Sequence, residues 1–339
     1  MKKNRTLRYG ILLAMAMTFL AAANLLVGSE SIPVGKVWNI LIGKECTNYS
    51  WQFIIKEIRL PQLLTAMLCG AALSTSGLLL QTAFRNPLAG PSVFGITNGA
   101  GLGVALVMLL FGGTIITSTL TASGFIAVLL AAFIGAMTVT AIIFIFATVI
   151  RNNIMLLIIG IMVGYLSSSA IALLNVSATE EGVRSYMMWG MGSFGGVAMA
   201  QMPVLAIGTI LGLTGALLMM KPLNALFLGE QYAESIGMNT RRVRNLLLIV
   251  TGLLTAIATA FCGPVAFIGL ATPHITRLCL NSENHRQLLP LTMLTGSAVC
   301  MACNLVCILP GEGTTIPLNA VTPLIGAPVV IYVIVSKYA

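Results

Sequence analysis

Side chains able to do covalent or proton chemistry are few in this chain, and their positions limit what that chemistry could be. Its 339 residues include nine glutamates, two histidines (His274 and His285) and no aspartate. His274 could bind a metal or a proton, but no second ligand lies close to it in sequence. The alternative is a structural histidine at a membrane edge. The motifs H-E-x-x-H, G-x-S-x-G and G-x-x-x-x-G-K-[ST] are absent, and the pairs Gly35-Lys36 and Gly43-Lys44 lack the earlier glycine and the following hydroxyl. The usual catalytic constellations cannot be assembled from this inventory, so neither enzymatic activity nor a bound cofactor is expected. Six of the seven cysteines lie in or beside apolar segments, and only Cys46 sits in a polar stretch, which gives little support for a disulfide scaffold. Cys300, Cys303 and Cys307 fall on one face of a helix. They could relay a metal or haem, or serve as small apolar fillers.

The elements that hold these residues are membrane helices. The chain is 58% apolar and 8% charged, against about 25% charged in a soluble protein, so it cannot build an ordinary water-exposed surface. Its apolar runs mostly approach the ~20 residues of a helical span, not the ~10 of a barrel strand. The expected fold is an all-α polytopic bundle of about ten transmembrane helices. The spans fall near 9–28, 60–84, 93–112, 119–149, 154–175, 199–220, 244–262, 264–279, 288–309 and 317–336. They would form one transmembrane domain over 1–339. The first run is longer than the ~7–15 residues of a signal-peptide core, so a retained span is expected. The net charge of +9 comes from basic residues scattered at the ends of apolar runs, which reads as topology and not as a nucleic-acid face. A cytoplasmic N-terminus puts 13 of the 18 basic residues inside and six of the nine acids outside. Both termini are therefore expected in the cytoplasm.

The most specific stretch runs from Arg59 to Gly103. Small residues at Gly70, Ala71, Ser74 and Gly77 allow close helix approach, Arg85-Asn86-Pro87 ends the run, and Gly95, Gly99 and Gly103 open the next one. This order resembles the iron-siderophore, haem and cobalamin permease family of bacterial ABC importers. The family's R-L-P, G-A-x-L-x-x-x-G, glutamine, R-N-P-L-A-x-P and G-I-x-x-G-A are met by Arg59, Leu60, Pro61, Gly70, Gly77, Gln81, Arg85, Asn86, Pro87, Pro91, Gly95 and Gly99. The likeness extends over about 55–335. Gly263 to Arg277, with Pro273, His274 and Arg277, matches a second family signature, and Pro317 to Pro328 follows a third.

The resemblance implies two permease subunits (a homo- or heterodimer), two separate ATP-binding subunits and an extracytoplasmic binding protein, in the bacterial plasma membrane. Between Lys221 and Arg244 lies an amphipathic polar segment able to form one or two surface helices. The resemblance makes it the ATPase-coupling region, with Leu228, Gly229, Glu230, Ala233, Glu234, Gly237 and Arg244 on the family pattern. Where the family carries an acid and an arginine, this chain has Cys303 and Cys307, and Asn319 replaces a glycine. Binding-protein docking is therefore assigned to Lys56, Arg59 and Arg184. Pathway walls and the inner gate are assigned to Gln81, Asn98, Arg151, Asn152, Asn153 and Ser167, Ser168 and Ser169. Helix–helix hydrogen bonding is an equally open reading of these polar residues. The cargo expected from family frequency is a ferric siderophore, with haem or cobalamin as the alternative. An ion-coupled secondary transporter is the main rival class. It lacks a mid-membrane carboxylate for proton coupling, although glycine-rich broken helices could supply carbonyls to sodium.

Overall fold

The computed structural model describes residues 2–44, 48–110, 121–150, 152–309 and 315–338. Among the described residues fifteen α-helices follow one another: α1 Lys2–Leu26, α2 Val34–Leu41, α3 Tyr49–Phe53, α4 Leu60–Ala83, α5 Ile96–Leu110, α6 Thr121–Val149, α7 Asn153–Ser177, α8 Glu180–Gly190, α9 Met202–Leu218, α10 Met220–Leu228, α11 Glu230–Ser235, α12 Thr240–Cys262, α13 Ile268–Leu280, α14 His285–Ile308 and α15 Leu318–Tyr338. No strand occurs among the described residues. A π-helical stretch, Ile54–Arg59, joins α3 to α4 without a break. Asparagine side chains cap α3 (Asn48), α7 (Asn152), α12 (Asn239) and α14 (Asn284), and Thr179 caps α8, each accepting a bond from an otherwise orphan N–H.

α4 is the hub, packed against α9, α12, α13 and α14. In the most apolar part of this helix 83% of the residues are buried, against 11% in α1, whose exposed Leu12, Met15 and Phe19 mark it as lipid-facing. The hub forms because its small residues leave backbone bare. A methyl group on Gly70 would overlap the carbonyl of Gly296 in α14, and one on Gly77 would overlap the carbonyl of Gly269 in α13. Gly99 and Gly103 bring α5 against Gly135 and Ala131 of α6 in the same manner, as small-residue spacing in lipid requires.

Each of the ten expected spans contains a helix, but seven among the described residues are long and apolar enough to cross a bilayer. α5 has 15 residues and the apolar part of α15 (Leu318–Val333) is also short. α13 has 13 residues, about 20 Å of rise against a hydrocarbon core of about 30 Å. The expected eighth span is thus a half-length helix. It begins only at Ile268, after an irregular stretch in which Gly263 (φ 72°) and Phe267 (φ 65°) are left-handed. α6, with 29 residues, exceeds the core and has to tilt or project. The outline from sequence had no place for α8, which folds back onto α5 where Gly182 meets the Met108 carbonyl.

Candidate functional site

The bundle has two ends that differ in chemistry. One carries α10 and α11, within the segment read as a coupling region. Leu223, Leu226 and Ala233 are buried there, while Phe227, Leu228, Tyr232 and Ile236 stand exposed on the other side. Gly229 (φ 128°) separates the two helices and Gly237 (φ 83°) ends the second, both in backbone conformations that disfavour a side chain. Thr240 donates to Glu234 Oε1 (2.8 Å), and Asn239 receives the Arg242 N–H (2.9 Å), which fixes the return into α12. Arg244 is buried and reaches the carbonyl of Ala147 near the end of α6 (3.5 Å). The start of α12 is thereby tied to the end of α6, a few residues before the turn read as a gate. In that turn Asn152 accepts from Ile154 and Met155 N–H (2.8 and 3.3 Å). Arg151 and the side chain of Asn153 lie outside the described residues.

Beneath α10, motifs far apart in sequence converge. Arg277 donates to Gln81 Oε1 (2.6 Å) and forms an ion pair with Glu283 (3.1 Å). Gln81 in turn donates to the Leu270 carbonyl (3.1 Å). His274 Nε2 lies 2.9 Å from the Pro87 carbonyl. That carbonyl is presented by a turn in which Arg85 is left-handed (φ 48°) and Asn86 receives the Leu88 N–H (2.9 Å). His285, at the start of α14, lies 2.9 Å from Thr82 Oγ1 through Nε2, and its backbone N–H donates to Asn224 Oδ1 of α10 (2.8 Å). A cavity of about 610 Å³ opens among Gln81, Thr82, Arg85, Phe227, His274 and Arg277. These bonds tie α4, α10, α13, α14 and the turn after α4 to one another. Sequence reading missed Asn224, a polar residue in the middle of α10, and Glu283 and His285, which sit at the turn into α14 and its start.

The opposite end is held by a buried guanidinium and side-chain amides aimed at carbonyls. Arg59 is buried there and donates to the carbonyls of Leu25 (2.8 Å), Leu26 (2.9 Å) and Glu30, which satisfies the C-terminal turn of α1. Its expected docking role does not fit this placement, because the guanidinium is spent on α1 and not presented outward. Lys56 is part-exposed and Arg184 exposed. Asn24, Asn304 and Gln62 form a chain linking α1, α14 and α4: Asn304 donates to Asn24 (2.7 Å) and Gln62 to Asn304 (3.0 Å). Cys300, Cys303 and Cys307 are buried in the core around α4. Among the residues read as pathway walls, Gln81 and Ser167 are buried and engaged inside the bundle. Asn98 bridges α5 to α7 through Gly164 O (3.1 Å) and Ser168 Oγ (3.2 Å), and Ser168 and Ser169 are exposed on α7.

A half-length helix under an anchored amphipathic surface pair, inside a bundle of apolar helices, fits a multi-pass membrane protein. Comparison with known proteins makes this specific. Residues 14–336 match the FecCD transport family, and the chain belongs to that family as an ABC importer permease. It is 34% identical to the vitamin B12 import system permease protein BtuC of Klebsiella pneumoniae, over 99% of this chain and 95% of that one. The BtuC protein of Salmonella typhi is also 34% identical, over 99% and 97%. Among solved structures, a metal-chelate type ABC transporter in an inward-facing conformation superposes with a TM-score of 0.81 at 29% identity, covering 96% of this chain and 98% of that one. PsaBC of Streptococcus pneumoniae, at 18% identity and TM-score 0.53, covering 81% and 90%, shares the fold.

Proposed function

We propose that this chain is the permease subunit of an ATP-driven importer of a corrinoid such as cobalamin. The observation that carries the cargo is the 34% identity over nearly full length to permeases named for vitamin B12 import. That likeness favours cobalamin over the ferric siderophore expected from family frequency. A metal chelate is the second reading, favoured by the 29%-identical metal-chelate type transporter. The exposed faces of α7 and α8 suit a bulky cargo of either kind. α7 presents Met155, Met162, Tyr165 and Leu166 without a charged residue, and α8 adds Met187 and Met188 beyond its charged first turns.

In this reading the whole chain is one transmembrane domain of ten spans. The α10–α11 end and both termini face the cytoplasm, and the Arg59 end faces outward. A second permease subunit, homo- or heterologous, completes the pathway, two ATP-binding subunits sit on α10 and α11, and a binding protein docks at the outward end. ATP is hydrolysed by the partner subunits and not by this chain. Leu228, Gly229, Glu230, Ala233, Glu234, Gly237 and Arg244 carry the coupling, and Lys56 and Arg184 offer the docking cations. The test is uptake into proteoliposomes holding the complete complex, supplied in turn with cobalamin, haem and a ferric siderophore. ATP-dependent uptake of cobalamin alone supports the proposal. Uptake of the iron chelate alone reinstates the chelate reading.

A further inference from the structure

Between α12 and α13 the helix is interrupted from Gly263 to Phe267, and such a break strips backbone groups of their helical partners. At membrane depth those groups need another partner. One side chain supplies it. Asn319 donates through Nδ2 to the carbonyl of Pro264 (2.6 Å), and its Oδ1 accepts the N–H of Ala266 (3.0 Å). The same Nδ2 donates to the carbonyl of Gly190, the last residue of α8 (3.0 Å), and its backbone N–H donates to the carbonyl of Met191 (3.1 Å). Ser193 N–H adds a bond to the carbonyl of Cys262 (2.9 Å). The end of α8, the α12–α13 break and the start of α15 are therefore knotted together around a single amide. The backbones approach so closely that a methyl group on Gly263 would overlap the Trp189 carbonyl.

The break matters because of what lies at the other end of the short helix. About 9 and 14 Å along α13 stand His274 and Arg277, bonded to the Pro87 carbonyl, Gln81 and Glu283. Glu283 adjoins Asn284 and His285, both bonded to Asn224 of α10. α13 is thus a short rod with polar fastenings at both ends and a hinge-like break at one of them. We propose that Asn319 is a positioning residue that passes displacement of α13, begun at the α10 end, to the segment closing α8. This rests on the importer reading given above. No other described side chain holds the α8 end to the break. Loss of the amide removes the side-chain bonds between the α8 end and the break, while the backbone bonds from Ser193 to Cys262 and from Asn319 to Met191 remain, so the link is loosened and the α10 end is left intact.

The experiment measures cargo uptake and ATP hydrolysis in the same proteoliposomes, with the full complex carrying the natural chain, Asn319→Ala or Asn319→Asp. The aspartate keeps the side chain's shape and the acceptor for Ala266, but turns both donor contacts into repulsion between oxygens. The expected result is hydrolysis within about twofold of the natural complex, with uptake per ATP lowered about tenfold in both variants. Uptake and hydrolysis falling together, in proportion to loss of assembled complex, would make Asn319 a folding residue only and overturn the proposal. Unchanged uptake per ATP would overturn it too. A natural complex that shows no ATP-dependent uptake would sink the importer reading instead, which separates the two failures.

Discussion

The two ends of this bundle solve the same problem with different chemistry. Each must hold helices together where their backbones run out of partners. The α10 end does so with charge and imidazole: Arg277 against Glu283 and Gln81, His274 on the Pro87 carbonyl, His285 between Thr82 and Asn224. The Arg59 end relies on donors aimed at carbonyls, with Arg59 closing α1, the Asn24–Asn304–Gln62 chain, and Asn319 bridging the α12–α13 break. An ion pair with a part-exposed partner weakens and re-forms readily in water, whereas a buried amide on a carbonyl has nowhere else to go. In the proposed reading the difference suits a first end that moves with the ATP-binding subunits and a second that holds its shape while it is pulled.

The comparison can be broken first at what both ends share. Gly77→Val drives a side chain into the Gly269 backbone and should cost more than about 3 kcal/mol by overpacking. Both ends then fail together, and no monodisperse protein elutes from size exclusion in detergent. Next is Arg59→Ala, which strips three carbonyls of a buried charged donor and should lower stability by about 3 kcal/mol. The readout is the thermal unfolding midpoint. Arg59→Lys should recover only part of it, because an ammonium cannot fork to the α1 carbonyls as a guanidinium does. Arg277→Ala should cost about 1–2 kcal/mol, since its pair with Glu283 is half in water. Its larger expected effect is loss of stimulated ATP hydrolysis, with the Arg59 end unaltered. The smallest stability change belongs to Lys56→Glu with Arg184→Glu, within about 0.5 kcal/mol. Binding-protein affinity, measured by surface plasmon resonance, should nevertheless weaken about tenfold through loss of charge complementarity.

Much of the hub was legible in the sequence, because small residues at helical spacing have one use in lipid. Gly70 and Gly77 lie where the chain approaches Gly296 and Gly269. The amphipathic segment also resolves into two short helices, as its mixture of apolar and charged residues implied. Apolar periodicity failed where polar partners decide the geometry. It gave no sign that Arg59 would be buried, since an arginine at the mouth of an apolar run looks the same whether it faces water or caps a neighbouring helix. It could not place α8, which is too short and too polar to stand out. Asn319 was noticed only as a departure from a glycine pattern, and the carbonyls that explain it are contributed by residues 55 and 129 positions away. The eighth segment, 264–279, is the shortest of the ten expected spans, and the break at its start is the feature that Asn319 secures.

The measurement that bears most directly on the account concerns the exposed apolar set on α10 and α11. Leu228→Glu together with Ile236→Glu places two charges at side chains that are 63% and 57% exposed. If this surface seats the ATP-binding subunit, that subunit should fail to co-purify with the variant, and ATP-dependent uptake should vanish while the thermal unfolding midpoint of the permease stays put. A variant that still retains the ATP-binding subunit and transports at the natural rate would contradict the assignment of this end to the motor.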